Sequence, residues 1–549
     1  MSKILFIVPP YVSFDSFVNP AYNERTIEKK SGNYGHVATD MPVGLLSLSA
    51  YSKKHMAVEV KLIDFNITLN KIESFEYNSF AELFRNYLSA KEWIDFTPDI
   101  IGITSILTLS YYNMIDIAQV SQEIFPDSTI IAGGGVPTNM YNEIFQDSTC
   151  FDALCYGEGE KPLFGLLKAT DKEKFLNDHQ SWITREKVES KQSFQYDFIE
   201  NLDEIPFYDY DILKTDEYRL NPSVGSFTSF DDNKYLFHID TSRGCPYHCC
   251  FCASHSVHGR TMRYHSINRV REDLKHLKDQ YRAETIVIQD DNLMSNKKRV
   301  FDIIDILREL KLNVFFQSGL AIYGLDRKML EALKNIGVNQ LILATESGSK
   351  RVLKEIMHKP VSLTKVRRVV EDCRQLGIDT DANILIGLPG ETKQDIEDAR
   401  AFLKTLDVTW FRVYIATPLV GSEMFDIVKE KEYSSRSYND FDFKRAGIET
   451  EDFTAEYIQE MSYFLNLELN FVANSDFRLG NYETALKNFE NTIRVRSDHA
   501  FAYYFAAKCC KIMNLEEKYS DYKTKYEEAI WGSEFWKVYA NQFNLTQLA

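Results

Sequence analysis

Over its first 170 residues the chain alternates short, strand-like runs rich in apolar residues with segments whose apolar positions recur every three or four residues. Lys3 to Val8, Val58 to Asp64, Ile100 to Ser105, Thr129 to Ala132 and Cys150 to Tyr156 have the strand pattern, and Val43 to Lys54, Tyr112 to Ile124 and Lys161 to Ala169 the helical one. Buried strands separated by amphipathic helices predict a doubly wound parallel α/β sheet over residues 1–180. Residues 181–234, rich in Glu, Lys, Ser, Asp and Tyr without sustained periodicity, read as a linker.

Alternation resumes at Tyr235 to Ile239. Strands are predicted at Glu284 to Asp290, Asn313 to Gln317, Gln340 to Ala344, Thr380 to Ile386 and Phe411 to Ala416. Helices are predicted at Ile267 to Tyr281, Lys328 to Ile336, Ser349 to Met357, Leu363 to Leu376 and Lys393 to Leu406. About six strand–helix units over 235–430 predict a partial barrel rather than the eight units of a closed one. Past residue 430 only helical periodicity remains, at Thr454 to Leu479, Tyr482 to Val495, Ala500 to Met513 and Glu516 to Ile530, so residues 431–549 form a helical region. Leu479 to Phe489 resembles the turn and second helix of a tetratricopeptide repeat. A shift of 34 residues sets Gly480 on Asn514 and Ala485 on Tyr519, so a second copy is weak.

The candidate chemistry sits just after the first strand of the second unit, in Thr241-Ser-Arg-Gly-Cys245-Pro-Tyr-His-Cys249-Cys-Phe-Cys252. Cys245, Cys249 and Cys252 at C-x3-C-x2-C put three thiolates on one loop. Soft sulfur ligands select iron–sulfur clusters or zinc. Zinc ribbons use two C-x2-C knuckles, and no second knuckle follows, although His255 and His258 are available to complete a zinc site. Three thiolates on a four-iron cluster leave one iron open to a small molecule. Cys250 reads as a bystander.

At these residues the sequence resembles the radical S-adenosylmethionine (SAM) enzymes, with Arg243-Gly-Cys-Pro246 and Phe251 fitting that family. The resemblance implies a 4Fe-4S cluster on the three cysteines and reductive cleavage of SAM to a 5′-deoxyadenosyl radical. It also implies an electron donor such as a flavodoxin or ferredoxin. Polar groups stand at successive strand ends: Asp290 and Asp291, then Gln317, then Glu346 and Ser347, then Asn383 and the Gly387 to Glu391 turn. Carried over from the family, the Asp290–Asp291 end meets the SAM amino group, Glu346 and Ser347 the ribose and carboxylate, and Asn383 lies beside adenine. Arg412 reads as structural. Each of these groups also has a plain capping or turn reading.

Strand ends in the first unit carry Thr104 and Ser105, then Gly133-Gly134-Gly135 and Thr138, then Gly157-Glu158-Gly159-Glu160. Glycines there let backbone approach a bulky ligand and hydroxyls offer hydrogen bonds, though glycine clusters after strands also serve as turns. Their order, with Pro42-Val-Gly44-Leu45, Leu62-Ile-Asp64 and Pro98 to Gly102, resembles the Rossmann-like cobalamin-binding domain fused to many radical SAM enzymes. That resemblance implies cobalamin contacts at Thr104, Ser105, Gly133, Gly134, Gly135, Thr138 and Glu158. The D-x-H-x-x-G motif that supplies a histidine to cobalt elsewhere is absent. A nucleotide site is discounted because Ile7-Val-Pro-Pro-Tyr11 replaces the glycine-rich turn that pyrophosphate needs.

The balance of 63 basic against 80 acidic residues, a formal charge of −17, argues against broad nucleic-acid or anionic-membrane binding. No apolar run approaches the roughly 18 to 20 residues that span a bilayer. Nine cysteines in a chain opening on a strand-like run rather than a signal peptide read as cytoplasmic thiols. The expected function is a cobalamin-dependent radical SAM enzyme methylating an unactivated carbon of a small-molecule or peptide substrate. The alternatives are a cyclase or ring-rearranging relative without methyl transfer, and a repeat-bearing scaffold with a structural cluster and a protein partner on its helical C-terminus.

Overall fold

The computed structural model describes residues 1–21, 24–219, 235–434, 441 and 443–548. The last part of the expected linker, 220–234, therefore lies outside the described residues, as do 435–440, 442 and 549 of the helical region.

The first unit is a six-stranded sheet of β1 (Ser2–Val8), β2 (Val58–Asp64), β3 (Ile100–Thr104), β4 (Thr129–Gly133), β5 (Ala153–Cys155) and β6 (Trp182–Ile183), in the order β2-β1-β3-β4-β5-β6. The first five run parallel, Ile4 pairing with Val60 on one side and Ile100 on the other. The central strands read as nearly continuous apolar runs because helices cover both faces, while the edge strand β2 alternates with Glu59 and Lys61. The chain reverses its direction of winding between β1 and β3, and in such sheets a ligand crevice opens beyond the strand ends at that switch.

Two features depart from the expected parallel sheet. β6 is antiparallel to β5 and falls within the stretch read as linker. Two residues are too few to show a period, and burial of Trp182, whose Nε1 donates to the Pro162 carbonyl at 3.3 Å, fixes them there. A hairpin of Thr26–Lys29 and Gly32–Gly35, in the polar stretch after β1, projects beside the strand ends.

Residues 199–218 thread between the units, burying Ile199, Leu202, Ile205, Tyr208, Tyr210 and Tyr218. The second unit has two parallel three-stranded leaves. One contains β7 (Leu236–Ile239), β8 (Thr285–Ile288) and β9 (Asn313–Phe316) in the order β9-β8-β7, and the other β10 (Gln340–Glu346), β11 (Asp379–Ile386) and β12 (Trp410–Ile415). A parallel bridge between Leu320 and Leu343 joins them. Apolar residues of both leaves and their covering helices form one continuous core.

The predicted helix over Thr454 to Leu479 is broken. Ala455–Leu467 passes into a wider turn at Glu468–Val472, and Asn474 then caps the short helix Ser475–Arg478. The break carries the C-terminal region's anchors to the second unit. Glu468 accepts from Arg400 and Lys404 at 2.8 and 2.9 Å, and Arg374 donates to Ser475 at 2.8 Å and pairs with Asp476. Tyr482–Val495, Ala500–Ile512, Glu516–Gly532 and Glu534–Gln542 then pack in succession around their own core.

Removing the Glu468 carboxylate leaves two cations facing each other. Glu468→Ala should cost about 1.5–3 kcal/mol, the usual worth of hydrogen bonds to charged groups, read as a lower denaturation midpoint. Burial opposes ionisation of Glu468, but Arg400 and Lys404 hold its carboxyl below the usual range. The pair's contribution is therefore full above the unfolded carboxylate pKa and is lost as pH falls through the lower folded value.

Candidate functional site

The cysteine loop leaves β7 through a tightly held turn. Asp290, just past β8, accepts from the Thr241 amide at 2.6 Å and its hydroxyl at 2.7 Å, and from the Ser242 hydroxyl. Asp291 accepts from the Gly244 amide at 3.2 Å. Burial pushes the Asp290 carboxyl up to about 6, against these donors. Asp290 is thus engaged with the protein's own loop and not with the cavity, whereas Asp291 also lines the cavity.

Cys245, Cys249 and Cys252 stand on this loop, close enough to influence one another electrostatically. Cys250 is buried in the core, its amide donating to the Met357 carbonyl at 3.2 Å. Burial raises the Cys245 thiol and pushes Cys249 up to about 11, with Lys359 opposing the latter. The Asn292 side chain donates to the Cys245 sulfur at 3.6 Å and accepts from the Tyr323 hydroxyl at 2.8 Å. Three thiols on one loop with an amide donor and a partly buried lysine beside them have the chemistry of an anionic thiolate site, because sulfur ligands bind metal deprotonated, although among the described residues the side chains do not stand as an assembled metal group.

Lys359 carries no sequence signal. It reaches the loop from the turn after the helix of the β10 end, donating to Glu346 at 2.8 Å with its ammonium 5.4 Å from the Phe251 ring centroid. Glu346 sits at φ +63, which turns its carboxylate toward that lysine. Ser347 caps its own turn, accepting from the Ser349 amide at 3.1 Å. Glu391 accepts from the Gly387 amide at 2.7 Å, and burial pushes its carboxyl up to about 8. Asn383 Oδ1 is buried without a hydrogen-bond partner.

A cavity of about 1200 Å³ lies between the strand ends of the two units. Ligand pockets usually fall in the range of about 300–1,000 Å³, so it has room for more than one small molecule. Its walls include Tyr11, Thr104 and Gly133 to Gly135 from the first unit and Cys252, Gln289 and Asp291 from the second.

The residues expected to meet cobalamin divide. Thr104 and the three glycines line the cavity. Ser105 turns its hydroxyl to Ser110 at 2.8 Å, and Thr138 bonds Gly134 at 2.8 Å and Gly157 at 3.1 Å, so both hold loops. Gly134, at φ +105, is required by the fold: a Cβ there would stand 2.6 Å from the Ser105 carbonyl. A Cβ at Gly133 meets only Cys155, at 3.7 Å. The glycine-lined crevice, beside the topological switch at the carboxyl ends of the strands, has room for a bulky planar ligand such as a corrinoid.

Glu158 is held by protein partners. Its carboxylate pairs with Arg263 and with His258 Nδ1 at 2.8 Å, and stands 3.3 Å from Arg243. Arg243 also pairs with Glu160 at 2.8 Å and Asp240 at 3.1 Å. Burial would raise the Glu158 carboxyl, but Arg243 and then His258 and Arg263 hold it well below the usual range. His258 is raised, burial opposing and the Glu158 bond prevailing.

A crevice at the strand ends of the first unit thus faces the three-cysteine loop of the second across one cavity. The radical SAM superfamily model matches residues 239–403 and the B12 binding domain model residues 35–167. The chain belongs to the radical SAM enzymes that carry a B12-binding domain, whose cofactors are a 4Fe-4S cluster, SAM and cobalamin. It is 27% identical over 424 residues to an uncharacterized methyltransferase of Pyrococcus horikoshii, covering 77% of this chain and 82% of that one. It is 26% identical over 419 residues to the cytidylyl-2-hydroxyethylphosphonate methyltransferase of Streptomyces wedmorensis, covering 70% and 77%. Its fold is similar to that of the cobalamin-dependent SAM radical enzyme OxsB, with TM-score 0.63 at 15% identity, covering 100% of this chain and 85% of that one. Among the described residues no helix is long and apolar enough to cross a membrane.

The glycines separate two effects. Gly133→Leu should lower cobalamin retention after desalting severalfold while the iron content stays unchanged. Gly134→Ala should instead lower the denaturation midpoint, because backbone must move to admit its Cβ. Equal cobalamin retention in Gly133→Leu and the parent would remove the crevice as the corrinoid site. Across the ion cluster, Glu158→Gln should loosen the two units, read as faster proteolysis of residues 199–219. The His258 contribution is full below the unfolded histidine pKa and declines as pH rises through its elevated folded value.

Proposed function

We propose that the protein is a cobalamin-dependent radical SAM methyltransferase acting on an unactivated carbon of a small-molecule or peptide substrate. The observation that carries this reading is the single cavity bounded by both the glycine loops of the first domain and the cysteine loop of the second. A methyl carrier and a radical source that share one chamber can serve the same substrate carbon without releasing it. When bound, the cluster supplies the electron that cleaves SAM and cobalamin carries the methyl group.

The chain's own residues would position these groups. Cys245, Cys249 and Cys252 are assigned as cluster ligands. Asp290 and Asp291 fix the loop from below through Thr241, Ser242 and Gly244. Asn292 and Lys359 place a hydrogen-bond donor and a positive charge beside the sulfurs, which favours the more negative state of a cluster. Glu346, Ser347 and Asn383 are assigned to SAM, with Asn383 Oδ1 the acceptor still to be satisfied. Thr104 and Gly133 to Gly135 are assigned to the corrinoid. The two leaves of the second domain are taken as the partial barrel, and the C-terminal helices as a cap with one repeat-like helical turn rather than a peptide-binding array. A flavodoxin or ferredoxin is the expected reductant.

The test is stoichiometric. Reconstituted anaerobically with a reductant and offered pools of small molecules and peptides, the enzyme should transfer a deuterated methyl group from labelled SAM to product. S-adenosylhomocysteine and 5′-deoxyadenosine should form in equal amounts. Deoxyadenosine with a product that has lost hydrogens and gained no methyl would replace methylation with cyclisation. Cys249→Ala should abolish both co-products and lose the iron, while Cys250→Ala keeps the cluster; loss of iron in Cys250→Ala would reassign the ligands.

A further inference from the structure

The first leaf of the second unit carries a polar layer on its inner face. Phe237, Ile239, Ile286 and Ile288 belong to the core shared with the covering helices. The alternate residues Leu236, Val287 and Phe315 pack together on the opposite face. Side chains alternate along a strand, so His238, Gln289 and Gln317, each two residues further on, share that inner face. The register agrees, since Val287 pairs with both His238 and Phe315 and the Gln289 amide donates to the Ile239 carbonyl at 2.9 Å. Gln289 and Gln317 line the cavity, and so does Asp40, from the stretch of the first unit that follows the hairpin.

The direction of the hydrogen bonds in this layer is set from one end. Asp40 accepts from Gln317 Nε2 at 2.7 Å, and its other oxygen stands 3.3 Å from His238 Nε2. A carboxylate only accepts, so Gln317 offers its amino group to Asp40 and its carbonyl oxygen elsewhere. That oxygen accepts from Gln289 Nε2 at 2.8 Å. Gln289 is left with its own carbonyl oxygen, Oε1, which meets no donor among the described residues and is not walled off from the cavity. Turning Gln289 about would require Gln317 to set its oxygen against the Asp40 carboxylate, two acceptors face to face. The relay therefore presents an acceptor and not a donor.

Gln289 immediately precedes Asp290 and Asp291, whose carboxylates hold the root of the cysteine loop. Ser318, exposed beside Gln317, lines the same cavity, and its hydroxyl can donate or accept.

We propose that Gln289 is a specificity-determining residue whose Oε1 binds an N–H or O–H donor of the substrate. The proposal rests on the cavity being the reaction chamber, and it narrows the substrate to molecules carrying an amide, hydroxyl or ammonium group on the side that faces the cysteine loop. A preset acceptor discriminates because a ligand without the donor displaces water from the carbonyl and returns no hydrogen bond.

Fluorine NMR of N-methyltrifluoroacetamide and N,N-dimethyltrifluoroacetamide, titrated with holoenzyme holding cobalamin and the oxidised cluster, tests the assignment. Both probes carry the carbonyl and only the first carries an N–H. The parent should favour the N–H probe by about fivefold, the worth of one neutral hydrogen bond. Gln289→Leu should abolish that preference and Gln289→Glu, which keeps an acceptor, should retain it. Iron content, cobalamin retention and affinity for SAM should be the same in the parent and in Gln289→Leu. No preference in the parent, or an equal preference in Gln289→Leu, would overturn the proposal. Loss of the preference in Gln289→Glu as well would do so too, making the effect one of packing. So would weaker SAM binding in Gln289→Leu, which would give the acceptor to a donor of SAM, or lower cobalamin retention, which would give it to a side-chain amide of the corrin. If the parent itself retains no cobalamin, the methyltransferase reading fails; a preference that still depends on Gln289 would then support the donor site alone.

Discussion

The Arg243 guanidinium, buried among Asp240, Glu158 and Glu160, is the interaction on which the rest of the arrangement depends. Two of its partners come from the loop after β5 in the first domain and the third from the end of β7 in the second. Removing one member of such a buried cluster typically costs about 3–5 kcal/mol, while the intact cluster adds little net stability because every charge has been desolvated. Its physical effect is register. Cys245 follows Arg243 by two residues, so the origin of the cysteine loop is referenced directly to the strand ends of the other domain.

Much of this architecture was legible in the sequence, because most strands are largely buried and read as mainly apolar runs. β1 to β4 and the strands of the second domain appear as runs within about two residues of their observed ends, while the run at β5 starts three residues before the strand. The cysteine loop was legible because its spacing is chemical. What the sequence concealed was pairing at a distance. Glu158 has the right glycine context for a cofactor contact, yet its carboxylate meets Arg263, 105 residues away. Asp290 stands at a strand end, as a ligand contact would, and satisfies a turn 49 residues earlier. Arg412 looked structural, and its bond to Asp381 agrees, but the same side chain also lines the cavity. Lys359 and the hairpin had no periodic or spacing signal at all.

The two domains contribute different materials to the shared chamber. Glycine loops let backbone come close at the first domain's strand ends, with Gly134 and Gly135 excluded from carrying a Cβ by the Ser105 and Ile106 carbonyls. The second domain contributes polar side chains such as Cys252, Gln289 and Asp291 to the wall, Asp291 held by the Gly244 amide, while behind them Asn292 is held by Tyr323 and Lys359 by Glu346. A chamber of this kind is rigid where the chemistry needs fixed distances and roomy where large cofactors enter.

An open arrangement of six strands leaves β12 with an exposed edge, and an unpaired edge invites further strand pairing. Here side chain and loop groups pair that edge. The Asn470 amide donates to the Phe411 carbonyl at 2.8 Å and accepts from the Phe411 amide at 2.7 Å, in the manner of a neighbouring strand. The Ile415 amide donates to the Phe443 carbonyl at 3.1 Å. Asn470 lies in the wide turn Glu468–Val472, and so the same irregularity that interrupts the long predicted helix brings both the edge pairing and the Glu468 anchor to the second domain. The C-terminal helices therefore do more than cover apolar surface. By pairing the edge of β12 at Phe411 through Asn470 and bracing the Ala21 loop through Arg496, the C-terminal region holds in place a strand that walls the cavity and the loop that leads to Arg25.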